Sequence, residues 1–170
     1  MATLKVNGRS HTVTAAADEP LLYVLGNDLE LAGPRFGCGL AQCGSCSVLV
    51  DGTEMRSCVT TLGQVGAREV TTLEGLPRWY ALGHGKPVGE GAAVPLHPVQ
   101  QALINVAAPQ CGYCMNGMAI KAAELLSHNL HPTEAQVRTA LNGHLCRCGT
   151  YPRIIDAVLQ AAALMRKAKA

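Results

Sequence analysis

Aromatic rings are nearly missing from this chain, which has one Phe and one Trp in 170 residues. A core so short of rings must be packed with Ala, Leu and Val, which suits small, close-packed helices. One-sided charge is missing too. The formal net charge of +2 gives no case for nucleic acid or an anionic membrane as partner, and the basic tail RKAKA reads as a solvated helix end. No apolar stretch approaches the ~20 residues that cross a bilayer, so no direct membrane insertion is expected. The opening MATLKVNGRS lacks the apolar run of an export signal and reads as a strand from its fourth residue. Folding in the cytoplasm, with thiols kept reduced, is the expectation. None of the six His stands four residues from another, the carboxylates are scattered, and the glycine-rich stretches lack the lysine of a P-loop. Those gaps remove zinc-helix, acid–base and nucleotide chemistry from consideration.

What the chain does have is cysteine, eight of them, on a background that is 48% hydrophobic. In a reducing compartment eight thiols are read as ligands and not as disulfides. They fall in two halves with different periodicities. Residues 1–76 are mainly β. TLKV and RSHTVTA are short alternating runs joined by Asn7-Gly8, the pair a tight hairpin prefers. PLLYVLGNDLEL sets Leu21, Leu22, Leu25 and Leu29 at helical spacing after Pro20. CSVLV, the turn Asp51-Gly52 and TEMRSCVT make a second hairpin, and REVTTLEGL adds one more strand. Residues 77–95, rich in Gly and Pro, read as a linker. Residues 96–170 switch to helical periodicity: HPVQQALINVAA, MAIKAAELLSHN, a Thr133–Gln136 capping box opening EAQVRTAL, and a last helix from Pro152. The fold class expected is α+β, a small β-grasp-like domain followed by four short helices packed as a bundle.

Cys38, Cys43, Cys46 and Cys58 follow the order C-x4-C-x2-C-x11-C. The x4-x2 spacing is the plant-type ferredoxin pattern for a 2Fe–2S cluster. Gly37, Gly39 and Gly44 let the loop fold tightly, so that its backbone amides converge on an anionic cluster. Cys58 is expected from the far strand of the following hairpin. A four-cysteine zinc site is the rival, but zinc knuckles usually come as paired short motifs, and here three cysteines crowd one loop. Cys111, Cys114, Cys146 and Cys148 form a second set, C-x2-C-x31-C-x1-C. On spacing alone this is a second metal centre, of zinc or of iron and sulfide.

Four segments, GCGLAQCGSCSVLVDG, LHPVQQALI, QCGYCMNGM and LNGHLCRCGTYPRI, carry a resemblance that extends over nearly the whole chain. They resemble the small iron–sulfur subunit of the molybdenum hydroxylases, the xanthine dehydrogenase and aldehyde oxidase family. The resemblance implies a β-grasp ferredoxin domain, then a four-helix domain with its own 2Fe–2S cluster, held by Cys111, Cys114, Cys146 and Cys148 nearer the molybdenum. It also implies that Cys148 and Gln110 touch the pterin of a molybdenum cofactor carried by a large partner subunit. The single residue between Cys146 and Cys148 then has a purpose, because alternate positions of an extended turn approach a shared cluster from different sides. Met115-Asn116 replaces the Thr-Pro of many relatives and looks closer to the isoquinoline and nicotinate oxidoreductases and some bacterial aldehyde dehydrogenases.

The function implied is electron transfer. Oxidation of an aldehyde or N-heteroaromatic compound takes place on the partner, and electrons leave to a cytochrome c or flavoprotein subunit. An exported partner would carry the assembled chain to the periplasm. Two rivals belong to other classes, namely a zinc-bound structural adaptor and a free-standing ferredoxin shuttle. Among lesser residues, Tyr113 is expected to shield the second site by packing, and His144 to be a polar neighbour of it. Arg147 either steadies a reduced cluster, pairs across a subunit interface or simply faces solvent.

Overall fold

The computed structural model describes residues 1–86, 88, 89 and 92–169. Strands β1 (Ala2–Val6) and β2 (Arg9–Val13) form the first hairpin. Asn7 and Gly8 turn it with φ of 53° and 79°, the left-handed pair that matches strand twist. Helix α1 (Leu21–Tyr23) runs straight into a π-helical segment, Val24–Asp28. The predicted helix is therefore real but wider in its second half, where the Leu29 N–H reaches back to the Val24 carbonyl. Strands β3 (Ser47–Val50) and β4 (Thr53–Arg56) make the second hairpin around Asp51-Gly52. A one-turn helix α2 (Leu62–Val65) and strand β5 (Glu69–Thr71) follow.

Among the described residues the sheet has five strands in the order β2-β1-β5-β3-β4. β5 lies parallel to β1 and antiparallel to β3, so the end of this half returns to its centre. One face of the sheet buries Leu4, Val6, Val48, Val50 and Val70 against Leu21, Val24 and Leu25 of the helical turn. The other face is also covered. In β3 all four residues are buried, and alternation sends Leu49 into a second core with Leu76, Met118, Ile120 and Leu126.

That second core belongs to the helices α3 (Leu76–Gly83), α4 (Pro98–Asn105), α5 (Met115–His128), α6 (Glu134–Ala140) and α7 (Tyr151–Lys169). Small side chains let them approach: Ala102, Ala119, Ala122, Ala123, Ala157, Ala161 and Ala162 are all buried. The Thr133–Gln136 capping box is present, and α2 opens with the same device at Thr61 and Gln64. Helix α3 occupies the first part of the segment read as a linker. Its Leu76 and Ala81 are buried, and Trp79 and Tyr80 pack around the ring of fully buried His97. Apolar anchoring outweighs the Gly/Pro composition on which the linker reading rested. Pro87, Glu90 and Gly91, from the same segment, lie outside the described residues. Burial pushes the His97 imidazole down to about 3. The neutral ring accepts the Val99 N–H at Nδ1 and so caps α4.

Candidate metal centres

The first four cysteines gather beside the sheet. Cys38 and Cys43 lie in the loop between α1's π-helical extension and β3, and Cys46 directly precedes β3. Cys58 stands in the turn after β4, two residues past the strand that was expected to carry it. The chain needs its glycines here. Gly39 and Gly44 have φ of 67° and 78°, and a Cβ on Gly37 would come 2.6 Å from the Cys43 sulfur. Three backbone N–H groups, of Leu40, Gln42 and Cys43, already donate to the Cys38 sulfur at 3.2–3.4 Å. Those donors, Leu40 first, bring the Cys38 thiol down to about 7. Burial pushes Cys46 the other way, to about 11.

The second four come from helix ends. Cys111 and Cys114 lead into α5, and Cys146 and Cys148 lie in the turn before α7. Burial lifts Cys114 to about 12. It would lift Cys146 too, but the Thr150 hydroxyl and backbone N–H groups outweigh it and hold that thiol near 7. A backbone N–H from Tyr113 lowers Cys111.

The thiols of each set lie close enough to interact electrostatically: Cys38 with Cys43 and Cys46 with Cys58 in the first, and Cys111, Cys114, Cys146 and Cys148 among themselves in the second. All eight are free thiols. Among the described residues no three ligand side chains close on one ion-sized point. A single tetrahedral zinc needs four donors around one centre. A 2Fe–2S cluster would take four thiolates in all, and the four free cysteines of each set would supply them.

Of the other predicted residues, Gln110 is exposed beside exposed Cys111, and Arg147 is exposed. Tyr113 does not pack over the second site. It is 47% exposed, its hydroxyl donates to the Phe36 carbonyl, and its ring lies under the Arg35 guanidinium. His144 is buried, and its Nε2 meets Glu54 Oε1 at 2.9 Å and Arg56 Nη1 at 2.8 Å. Arg56 also bonds Glu54 and Ser47, and Lys121 lies 3.4 Å from Glu54. This ionic knot joins the second hairpin to α5 and the Cys146 loop. Burial alone would raise the Glu54 carboxyl, but His144, Ser47 and Arg56 outweigh it and hold Glu54 at about 2.

Sequence reasoning missed three contacts between the sets. The Asn116 carboxamide donates to the carbonyls of Ser45 (2.8 Å) and Ser47 (2.9 Å), on either side of Cys46. The Leu145 N–H donates to the Cys43 carbonyl at 2.9 Å. Gly117 lies so close to the first loop that a Cβ there would sit 2.1 Å from the Gly44 carbonyl oxygen. Asn116 had a signal, as a departure from Thr-Pro; the other two had none.

Comparison with known proteins matches each cysteine set to a cluster-binding domain. Residues 4–71 match the model of the 2Fe-2S iron-sulfur cluster binding domain, and residues 87–159 match that of the [2Fe-2S] binding domain. One of the subunits of nicotinate dehydrogenase from Pseudomonas putida is 47% identical over 97% of this chain and 96% of its own. The chain belongs to the iron–sulfur subunits of the molybdenum hydroxylases. The alpha subunit of isoquinoline 1-oxidoreductase from Brevundimonas diminuta is a further member, 43% identical over 92% of this chain and 94% of its own. Among solved structures, quinoline 2-oxidoreductase of Pseudomonas putida superposes with a TM-score of 0.82 at 32% identity, covering 98% of this chain and 95% of that one. Aldehyde oxidoreductase of Desulfovibrio desulfuricans gives 0.83 at 35%, with this chain spanning 17% of a much longer one. Two 2Fe–2S clusters are the cofactors of such a subunit, and electron transfer is its part in the complex. Among the described residues no helix is long and apolar enough to cross a membrane.

Proposed function

We propose that Cys38, Cys43, Cys46 and Cys58 hold one 2Fe–2S cluster and Cys111, Cys114, Cys146 and Cys148 the other, in a β-grasp unit (1–76) and a four-helix unit (96–170). The observation that carries the assignment is that four free thiols gather in each half, each set inside a segment that matches a 2Fe-2S binding domain. Bound this way, a 2Fe–2S cluster takes up and gives back one electron at a time, splitting a two-electron oxidation into single steps. The chain's own residues do the rest. Cys114 and Cys146 are buried and keep water from the inner edge of the second site, while Cys111 and Cys148 form its outer edge. Gln110 stands beside that edge, and an amide there offers donors and an acceptor to a heterocycle. That edge faces the pterin on the large subunit, with Cys148 as the near thiol. Gly37, Gly39 and Gly44 shape the amide lining of the first site.

By likeness to the nicotinate, isoquinoline and quinoline enzymes, the substrate class is an N-heteroaromatic compound, with aldehydes as the second choice. Electrons enter at the Gln110–Cys148 edge and leave from the first site to a cytochrome c or flavoprotein subunit. The compartment follows the large subunit, periplasmic if that subunit is exported. The test is iron, sulfide, zinc and molybdenum content of the anaerobically purified complex. About four irons and four sulfides per chain, with molybdenum on a co-purifying large subunit, is the expected result. About two zincs without sulfide would sink the assignment and leave a zinc scaffold.

A further inference from the structure

Three of the contacts between the two sets share a direction, although Arg56 beside Cys58 donates the other way, to the Gly143 carbonyl. Each of the three takes its donor from beside a second-set cysteine and its acceptor from a carbonyl in the first loop. The Tyr113 hydroxyl donates to Phe36, the Leu145 N–H to Cys43, and the Asn116 carboxamide to Ser45. Each of these carbonyls belongs to the same peptide group as the next residue's N–H. Those N–H groups are on Gly37, Gly44 and Cys46.

A hydrogen bond received at the oxygen polarises the peptide and strengthens its N–H as a donor, by roughly 10–30% per bond. The N–H groups of Gly44 and Cys46 lie in buried residues, and no acceptor for either is found among the described residues; Gly37 is exposed but passes beside the first site, where a Cβ on it would come 2.6 Å from the Cys43 sulfur. A buried N–H needs a partner. The sulfurs of a cluster held by Cys38, Cys43, Cys46 and Cys58 are the acceptors at hand. Donors to those sulfurs favour the reduced cluster, which carries one more negative charge, and so raise its potential.

We propose that Asn116 and Tyr113 are positioning residues for the first cluster, raising its reduction potential from outside its own loop through the Ser45–Cys46 and Phe36–Gly37 peptides. This rests on the assignment of that cluster to the first four cysteines. Electrons arriving from the second site would thus meet a first cluster made easier to reduce by the second site's own scaffold. The docking of the halves and the direction of electron flow share the same hydrogen bonds.

The experiment uses the full chain in its complex, purified without oxygen, as wild type and as the variants Asn116→Ala and Tyr113→Phe. Iron and sulfide are counted, and a redox titration followed by EPR resolves the two clusters. In both variants the first-cluster potential is expected to shift to more negative values, further for Asn116→Ala, with a smaller shift in the second cluster. First-cluster potentials unchanged in both variants would overturn the inference. So would a shift in the second cluster as large as in the first, because that marks local damage beside Cys114. Should Asn116→Ala lose its first cluster, Tyr113→Phe, which removes one hydroxyl, decides between the same outcomes. A wild type without two clusters would instead overturn the assignment itself, and the iron count tells the two failures apart.

Discussion

The first cysteine set is wrapped by one glycine-rich loop, and only Cys58 comes from elsewhere. The second is gathered from the approach to α5 and the approach to α7, segments that only packing brings together. Both gather four free thiols, yet the energy holding them differs. Local backbone geometry shapes the first site, so it should fail by local change. The second depends on the helical core, so it should fail together with that core. Between them lie a buried ionic knot and a glycine contact that make each half part of the other's support.

The strongest way to break the comparison is to remove one inner thiol from each set. Cys46→Ser should cost about half of the iron and sulfide and leave the helices intact by circular dichroism. Cys114→Ser should cost a similar amount of iron and also lower the melting temperature, since that thiol is part of the helical core. Equal melting losses would show that the two sites are supported alike. Next in size is Gly117→Ala. Its Cβ would meet a backbone oxygen that cannot step aside, a cost of about 3 kcal/mol, or roughly 6–12 °C in Tm for a chain of this length. Gly26→Ala, where a Cβ meets nothing within 4 Å, is the control and should be near neutral.

Acid probes the ionic knot. Glu54 titrates at about 2 in the folded protein against an ordinary value of 4.5. Its contribution is therefore full above pH 4.5 and is lost as pH falls towards 2, by about 2 kcal/mol after solvent screening. Glu54→Gln should be less stable at neutral pH by a similar amount and show a flatter acid limb in denaturant titrations. An unchanged acid limb would mean that the knot does not couple folding to protons. The smallest effects come from the caps. Thr61→Ala in the first half and Thr133→Ala in the second should each cost about 1 kcal/mol. If the halves unfold as one unit, both substitutions shift a single calorimetric transition; two separate shifts would sever the halves thermodynamically.

Both hairpins, the Thr133 cap and all eight thiols are legible in the sequence because their signals are local. Asn7-Gly8 and Asp51-Gly52 need only left-handed backbone angles, and ligand spacing is written in the order of the chain. Helix α3 is hidden by composition, since Trp79 and Tyr80 reveal their role only when His97 arrives to be packed. Thr61 and Gln64 repeat the signature of Thr133 and Gln136, but on a helix of four residues it is easily passed over. His144 stands out as a polar neighbour of the second site, and its partners Glu54 and Arg56 are about ninety positions away. No reading of spacing links them. Asn116 reads in the sequence as the mark of a branch, and only three dimensions show it gripping the strand that follows Cys46.

One bond has a meaning in time as well as in space. β4 is an edge strand, and its outward N–H at Glu54 is met by the Glu124 carboxylate, 70 residues further along the chain. Synthesis delivers the strand first and its cover much later. Until α5 leaves the ribosome, the nascent sheet shows an open edge to other chains, the kind of edge that templates aggregation. The vulnerable moment of this protein is thus set by the order in which its segments are made.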